Sequence, residues 1–259
     1  MQQRGRDSSS AGEKPSAQRL SAIVSDRMNL KLVEPHIYSV YSETEHVNPY
    51  DKMGGIYDLV ACNPIYNRLV WGYRISEYHR VCLDALTSSA EGWVLDVGCG
   101  SLAFTAKTYV GYSARPVVLL DQSIRLLRMA KAKLVKLCGT VPDHMVFVHG
   151  DALQLPFKPY SFGTIISLNL LHVLDDVGKA VREFRRVLSD RGTITCTTLV
   201  RNNRLADRYL DQLGRIGAVV PRDVRTLSRI FDEVSIAVRI EVKGSLAFVS
   251  SGQQLCQDA

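Results

Sequence analysis

The sequence predicts an α/β protein with a mostly parallel sheet and helices packed around it. From Glu91 onward, short apolar runs alternate with amphipathic segments, which is the pattern of a parallel α/β sheet. Glycine and capping residues separate these segments. The last apolar stretch, residues 234–251, alternates apolar and polar residues around Lys243-Gly244 and therefore predicts a terminal hairpin.

The strands are predicted by apolar runs of strand length that end in small or polar residues. Five such runs predict parallel strands, at residues 93–97, 117–121, 145–151, 163–169 and 193–200. The terminal hairpin adds two antiparallel strands to this sheet.

The helices are predicted by apolar spacing and by their ends. Ser123 is a good N-cap for a helix that we expect Gly139 to end. Either Asp175 or Asp176 caps the next helix, which we expect to continue to Gly192. Two more helices are predicted, one through Leu205, Tyr209 and Leu213, and one that begins at Pro221.

The chain divides into four parts by composition. Residues 1–20 are polar and predict a disordered tail, and residues 253–259 predict a second tail. Residues 21–90 predict a helical cap. Within it, a loop-like stretch rich in tyrosine precedes residues 65–86, whose amphipathic pattern is that of a helix. Residues 91–252 form the core domain.

The composition narrows the classes of protein that this chain can be. Of its 259 residues, 46% are apolar and 22% are charged, as in an ordinary globular protein. The sequence contains no run of 18 apolar residues, so no membrane span is predicted. The N-terminus lacks the apolar region of a secretory signal. We therefore expect a cytoplasmic protein. The six cysteines have no paired spacing, so neither a metal site nor a disulfide framework is predicted.

The charge is moderately positive. The net charge is +6, and residues 201–245 hold nine basic and six acidic residues. Because no dense Lys/Arg run with interleaved aromatics is present, nucleic-acid binding is not indicated. We expect a small-molecule substrate as the partner, with a homodimer as an alternative to a monomer.

The stretch VLDVGCGSLAF, residues 94–104, raises the question of which ligand the chain binds. Gly98 and Gly100 follow the first core strand, where the ligands of open α/β sheets bind. Glycine lets the backbone approach a ligand closely. This G-x-G pattern, with Ala103 as its next small residue, suits both a dinucleotide and S-adenosylmethionine.

Three acidic residues distinguish these two cofactors. Asp121, at the end of the second strand, suits the ribose diol that both carry. Asp96 lies just before the glycines, where it would repel a pyrophosphate but attract an ammonium and a sulfonium group. Asp151 ends the third strand, where it can accept from an adenine amino group while Ala152 and Leu153 pack on the ring. S-adenosylmethionine is therefore favoured, and no tyrosine has the lysine four residues later that is common in short-chain dehydrogenases.

The order of motifs resembles that of class I S-adenosylmethionine-dependent methyltransferases. VLDVGCG, LLDQS, GDALQLPF and SLNLLHVLDD follow one another over residues 91–250 at suitable spacings. The resemblance implies a Rossmann-like, seven-stranded, mostly parallel sheet whose last strand is antiparallel, with helices on both faces. Residues 56–72 are similar, more loosely, to the N-terminal helix of the quinone-biosynthesis methyltransferases.

The resemblance also implies a set of site residues. The residues that it places around the cofactor, together with those argued above, are Asp96, Gly98, Cys99, Gly100, Asp121, Gln122, Asp151, Ala152, Leu153 and Asn169. Many members carry a third small residue, often glycine, where this chain has Leu102. That side chain must point away from the cofactor, or the loop is shifted.

Two groups of residues are candidates for the chemistry. His172 follows the fourth strand and is a candidate general base, with a packed structural histidine as the alternative. Tyr57, Tyr66 and Trp71 of the cap are candidate substrate contacts, with a tyrosine-rich packing surface as the alternative.

These motifs predict a methyltransferase of class EC 2.1.1 that acts on a small molecule. A quinone- or phenol-like aromatic acceptor is one such substrate. NLLH stands where an N-P-P-Y motif for amino groups would be, which weakens methylation of DNA or glutamine. The alternative is a protein with the same fold that binds the cofactor or a partner without catalysis.

Overall fold

A computed structural model describes residues 14–41, 63–88, 90–111 and 115–251. Before the core lie α1 (Lys14–Ile23), β1 (Lys31–Glu34), β2 (Ile37–Ser39), α2 (Pro64–Tyr66) with a π-helical turn (Asn67–Trp71), and α3 (Ser76–Leu86). The core begins with β3 (Trp93–Val97), α4 (Ala106–Val110), β4 (Val117–Asp121), α5 (Ile124–Cys138), β5 (Met145–His149) and β6 (Phe162–Leu168). It continues with α6 (Val177–Val187), β7 (Leu188–Leu199), α7 (Ala206–Arg215), α8 (Val224–Asp232), β8 (Arg239–Lys243) and β9 (Leu246–Ser250).

The described strands form one sheet in the order β1-β2-β5-β4-β3-β6-β7-β9-β8. From β2 to β7 every neighbouring pair is parallel, whereas β9 is antiparallel to both β7 and β8. The predicted mostly parallel sheet with a C-terminal hairpin is therefore confirmed. The chain runs outward from β3 to β5 and returns to β6, so the sheet has its switch point between β3 and β6, where open α/β sheets bind ligands.

Helices cover both faces of the sheet, as the resemblance implies. One core cluster holds Leu95 and Val97 of β3 with apolar side chains of α1, α6 and α8. The other holds Val94 of β3 with side chains of α3, α4 and α5. Because alternate residues of one strand face opposite sides, β3 is buried from both faces.

The sheet has two more strands than the seven expected, and both come from the predicted cap. Tyr38 of β2 pairs with Val148 of β5, and Ile37 beside it is fully buried. β1 then pairs antiparallel with β2. The expectation of a helical cap over residues 21–90 is wrong for these two strands. Strands of four and three residues carry too little alternation to be predicted, yet they cover the edge of β5.

The N-terminal boundary also differs from the prediction. Residues 14–20 fall in the predicted tail but belong to α1, because Leu20 and Ile23 are buried against the core. Residues 1–13 and 252–259 lie outside the described part of the chain. The helical segment predicted near residues 65–86 is divided at Gly72, whose φ of +76° ends the π-helical turn before α3.

Most predicted helix ends are confirmed, and two are wrong. Ser123 and Asp176 accept the expected backbone hydrogen bonds at the starts of α5 and α6, and Gly139 ends α5 with a φ of +82°. α6, however, ends at Val187 and not near Gly192, because Leu188 already pairs with Phe162 of β6. The last helix is capped by Asp223, so Pro221 lies before it.

Candidate active site

A cavity of about 210 Å³ opens where the carboxyl ends of β3, β4, β5 and β6 meet. Nine of the ten residues expected around a cofactor line it: Asp96, Gly98, Cys99, Gly100, Asp121, Gln122, Asp151, Ala152 and Asn169. The tenth, Leu153, does not line the cavity: it is partly buried and packs against the apolar core, and its N–H donates to Asp151 Oδ1 at 2.8 Å. The sheet thus brings together residues that lie up to 73 positions apart in sequence, from 96 to 169.

The loop after β3 reaches its shape through three residues in the left-handed region. Gly98, Gly100 and Leu102 have φ of +72°, +56° and +53°. A Cβ on Gly98 would come within 2.9 Å of Leu170 Cδ1, whereas a Cβ on Gly100 would meet nothing within 4 Å. Gly100 therefore presents bare backbone to an open space, which is the close approach that the motif predicts.

Leu102 occupies the third left-handed position, where a glycine would be unstrained. Its side chain is buried in the core cluster beside α3, α4 and α5 and is absent from the cavity lining. The sequence left two possibilities for Leu102, a side chain that points away from the cofactor or a shifted loop. The structure shows the first, because the side chain points away from the cavity. Burial of the side chain offsets a left-handed conformation that costs about 1 kcal/mol for a residue with a Cβ.

Asp96 is a buried carboxylate with one oxygen bonded and one oxygen without a partner. The Tyr109 hydroxyl donates to Oδ2 at 2.8 Å, while Oδ1 has no hydrogen-bond partner. Burial raises the pKa of Asp96 to about 7, the Tyr109 hydrogen bond opposes this shift, and the nearby Asp121 carboxylate adds to it. An unpartnered buried oxygen in a cavity wall fits a cationic group of a ligand.

Asp121 and Asp151 are held in place by backbone N–H groups. Asp121 accepts from Gly100 N through Oδ2 and from Ser123 N through Oδ1, both at 2.8 Å. Asp151 accepts from Leu153 N. A carboxylate has about four acceptor positions, so both side chains keep capacity for hydroxyl or amino groups of a ligand.

These features fit S-adenosylmethionine. An ammonium group suits Asp96 Oδ1, a ribose diol suits Asp121, and the open space beside Gly100 admits a ligand close to the backbone. The cavity does not reveal an anion site of the dinucleotide type, since carboxylates stand at the ends of the three strands beside the glycine loop.

The rest of the cavity wall was not predicted. It consists mainly of apolar side chains that follow β3 and β6, together with two from the segments around β4: Ala103, Phe104, Leu168, Leu170, Val173, Leu174, Leu120 and Leu126, with the hydroxyl residues Ser101 and Thr105. Their only sequence signal is position, because the first turn after each parallel strand faces the ligand edge.

Asn169 lines the cavity directly after β6. It has a left-handed φ of +61°, and its Nδ2 donates to the Tyr78 hydroxyl at 2.6 Å. The Tyr78 ring stacks on Phe104 with centroids 4.6 Å apart. Strained residues held by surrounding contacts cluster at functional sites, and Asn169 is such a residue.

His172, the candidate general base, does not line the cavity. It is buried, and its Nδ1 accepts from Leu199 N at 3.2 Å. Burial lowers the pKa of His172 to about 4, and the charge of Arg222 adds to this shift. His172 is therefore neutral at physiological pH, with one ring nitrogen engaged by β7, which is the arrangement of a packed structural histidine.

The two described aromatic candidates of the cap, Tyr66 and Trp71, are absent from the cavity lining. Tyr57 is outside the described residues. Tyr66 and Trp71 belong to an aromatic layer with Tyr73, Tyr78 and Leu210, and Phe104 and Leu168 pack against it. Since Phe104 and Leu168 also line the cavity, this layer borders the cavity without contributing Tyr66 or Trp71 to its wall.

The titratable groups of the described lining are three carboxyls and one thiol. Burial raises the pKa of Cys99 well above its ordinary value, and the carboxylates Asp121 and Asp96 add to this shift. Cys99 is therefore a neutral thiol at physiological pH. Within the described residues, no group of three or more His, Cys, Asp or Glu side chains is arranged to hold a metal ion. No helix in the same residues is long and apolar enough to cross a membrane.

Comparisons with known proteins agree with this geometry. Residues 95–196 match a family model described as a methyltransferase domain. The demethylmenaquinone methyltransferase of Roseiflexus castenholzii is 34% identical over 110 residues, which are 42% of this chain and 44% of that protein. The ubiquinone/menaquinone biosynthesis C-methyltransferase UbiE of Brucella anthropi is 29% identical over 171 residues, 60% of this chain and 64% of that protein.

A solved structure supports the fold over more of the chain. One such structure is the putative methyltransferase of Haloferax volcanii, solved in complex with the Trm112 methyltransferase activator. The match covers 80% of this chain and 99% of the Haloferax volcanii chain, with a TM-score of 0.60. Its identity of 15% makes this a likeness of fold. The chain spans less than two thirds of the length of the two curated relatives above. Within that span, residues 95–196 are similar to the methyltransferase domain that the family model describes, and the solved structure extends the likeness of fold.

Proposed function

We propose that this protein binds S-adenosylmethionine in the cavity at the ends of β3 to β6 and transfers its methyl group to a small, apolar aromatic acceptor of quinone or phenol type in the cytoplasm. The observation that carries the proposal is that two unlike sets of side chains line one cavity, and we call them the polar wall and the apolar wall. One wall holds Asp96, Asp121 and Asp151, and the other is mainly apolar.

The polar wall accounts for the cofactor. When bound, S-adenosylmethionine supplies an electrophilic methyl group on a positively charged sulfur. Asp96 Oδ1 would accept from the ammonium group, and Asp121 from the ribose hydroxyls. Asp151 would accept from the adenine amino group. The bare backbone at Gly100 leaves room for these contacts.

The apolar wall accounts for the acceptor class. Phe104, Leu170, Val173 and Leu174 would bury a hydrophobic ring and keep water from the reacting atoms. The names of the two curated relatives concern quinone biosynthesis, which supports an aromatic acceptor of this kind.

The described lining offers few groups for moving a proton. The described lining contains no lysine, arginine or histidine, and its titratable groups are Asp96, Cys99, Asp121 and Asp151. Because the three carboxylates are assigned to the cofactor, catalysis would rest on alignment and desolvation. An acceptor whose nucleophile is already electron-rich, such as a phenolate or a hydroquinone ring, suits such a site.

Two measurements, made one after the other, test the proposal. Isothermal titration calorimetry with S-adenosylmethionine is expected to show binding at sub-millimolar concentration, and an absence of binding would refute the cofactor assignment. A mass-shift screen with labelled cofactor and quinone, phenol and polyketide acceptors then tests the acceptor class. Labelling only of tRNA or protein would refute the small-molecule acceptor. Binding without labelling of any acceptor would favour the alternative, a cofactor- or partner-binding protein on the same fold.

A further inference from the structure

Two helical segments that pack in the aromatic layer are joined by direct contacts and form one continuous surface. The Tyr66 hydroxyl donates to the Tyr209 hydroxyl at 3.1 Å, and the Trp71 and Tyr209 rings lie 5.5 Å apart. These contacts join residues 64–71 to α7, whose Leu210 packs into the same layer. We call the outward side of the two segments the arginine-apolar surface.

Large apolar side chains are exposed on this surface. Leu205 is 86% exposed, Leu69 76%, Ile216 73% and Ile65 68%. Ile65 and Leu69 are one helical turn apart, and so are Leu205 and Tyr209, so each segment shows an apolar stripe to solvent. A cluster of exposed apolar residues marks an interaction site, whereas scattered single ones do not.

Positive charge surrounds these apolar side chains. Four exposed arginines of the arginine-apolar surface form no hydrogen bond or ion pair through their side chains with any residue in the described ranges: Arg68, Arg204, Arg208 and Arg215. The acids of the same segment are engaged, since Asp211 pairs with Arg201 at 2.6 Å and Asp207 accepts from the N–H groups of Asn202 and Arg204. Because Arg201 neutralises Asp211, the four arginines face one remaining acid, Asp207, and the net charge of the surface is positive.

Exposed leucines and isoleucines among unpaired arginines are complementary to one kind of partner. The outer part of an anionic lipid bilayer offers negative headgroups to arginine and an acyl boundary to leucine and isoleucine. A second copy of the chain would instead bring the same arginines against one another. We propose that the arginine-apolar surface docks the protein on an anionic lipid bilayer.

Docking would place the bilayer against the layer that borders the cavity. The aromatic layer is shared, because Leu210 of α7 packs in it and Phe104 and Leu168 contact both it and the cavity. Vesicle binding requires no catalysis, so this proposal stands or falls independently of the proposed function.

The test is cosedimentation of the full chain with phosphatidylcholine vesicles, with and without phosphatidylglycerol. The wild-type protein is expected to bind the anionic vesicles much more tightly than the neutral ones, with binding that weakens as salt is added. The double variant R208Q/R215Q should bind anionic vesicles about 30-fold more weakly, since each arginine near such a surface contributes about one factor of five. The double variant L69Q/L205Q should lose about tenfold or more, and its residual binding should keep its salt dependence.

A matched control lies on another helix. Lys136 and Leu137 are exposed on α5, which belongs to neither segment of the arginine-apolar surface, and K136Q/L137Q removes one charge and one exposed leucine there. This variant should bind as the wild type does. All the substituted side chains are exposed, so circular dichroism and thermal unfolding are expected to stay unchanged.

Three outcomes would overturn the proposal. The first is an absence of wild-type binding to anionic vesicles. The second is equal loss of binding in K136Q/L137Q, which would indicate non-specific attraction. The third is a concentration-dependent dimer in sedimentation velocity that L69Q/L205Q abolishes while vesicle binding is absent, which would assign the surface to a second copy of the chain.

Discussion

The two walls of the cavity are built in different ways. On the polar wall each carboxylate is fixed by a short hydrogen bond: Asp96 by Tyr109, Asp121 by two backbone N–H groups, and Asp151 by Leu153 N. On the apolar wall the side chains that follow β6 are held by packing, and Asn169 provides the polar contact at its edge.

This difference separates what selects the cofactor from what selects the acceptor. Directed hydrogen bonds discriminate strongly between ligands, because a wrong ligand leaves buried polar groups without partners. An apolar wall discriminates by size and shape, with about 1–3 kcal/mol for each misplaced group. We therefore expect substitutions on the polar wall to change cofactor affinity, and substitutions on the apolar wall to change acceptor turnover alone.

The largest expected effect comes from Asp121. In Asp121→Ala the ribose hydroxyls lose their acceptor, and Gly100 N and Ser123 N lose theirs as well. Hydrogen bonds to charged groups contribute about 1.5–3 kcal/mol each, so affinity for S-adenosylmethionine should fall more than about 100-fold by calorimetry. Asp190→Ala, an exposed acid elsewhere, is the control and should bind normally. A change of less than threefold in Asp121→Ala would break the assignment of the polar wall.

Asp96 should show opposite effects on stability and on binding. Its pKa of about 7 in the fold lies above the ordinary value of 3.8, so the unfolded chain loses the proton first and the ligand-free protein loses stability as pH rises from about 4 to about 7. Asp96→Asn removes this titration. The ligand-free variant should therefore be about 1–3 kcal/mol more stable than wild type at pH 8 in urea unfolding.

The same variant should bind the cofactor poorly. Without the charge at Asp96, affinity for S-adenosylmethionine should drop by about tenfold or more, because a charge-assisted hydrogen bond is replaced by a neutral one. Loss of stability at pH 8 together with unchanged affinity would contradict the role assigned to the unpartnered oxygen.

Tyr109 tests whether the orientation of Asp96 matters. The Tyr109 hydrogen bond opposes the rise in the pKa of Asp96, so Tyr109→Phe should raise that pKa further. Cofactor affinity at pH 7 should fall by about fivefold to tenfold and should recover at higher pH, where Asp96 ionises. Calorimetry at several pH values between 6 and 8.5 measures this shift.

Tyr73→Phe is the matched control for Tyr109. Its buried hydroxyl donates to Asn67 Oδ1 at 2.7 Å in the aromatic layer, so its loss should cost similar stability without moving the pH profile. A uniform loss of affinity at all pH values in Tyr109→Phe would mean that Tyr109 is only structural.

The sequence predicts the polar wall of this site better than the apolar wall. The carboxylates could be predicted, because Asp96, Asp121 and Asp151 lie in or just after apolar runs whose carboxyl ends must meet at one edge of a parallel sheet. The apolar lining could not be predicted residue by residue, since an apolar side chain after a strand can face either the cavity or the core. Leu170 lines the cavity, whereas Leu171 beside it is buried in the core.

The points that the sequence missed or left open have physical causes of the same kind. His172 has the residue type of a general base, but whether it faces the cavity depends on the hydrogen bond from Leu199 N, which only the fold reveals. β1 and β2 are too short to be predicted from alternation; β2 is stabilised by pairing with β5, and β1 by pairing with β2. Leu102 is tolerated because its side chain fills the core beneath a left-handed backbone.

The smallest expected effect is on the apolar wall. Val173→Thr replaces a methyl with a hydroxyl of nearly the same shape at a position that lines the cavity. Burying that hydroxyl against an apolar acceptor should cost about 1 kcal/mol, so kcat/KM for the acceptor found in the mass-shift screen should fall about fivefold. The calorimetric Kd for S-adenosylmethionine should stay unchanged, and Val135→Thr on the exposed side of α5 should change neither quantity. If Val173→Thr weakens cofactor binding as much as it lowers acceptor turnover, then the two walls do not divide cofactor from acceptor, and Val173 belongs to the cofactor site.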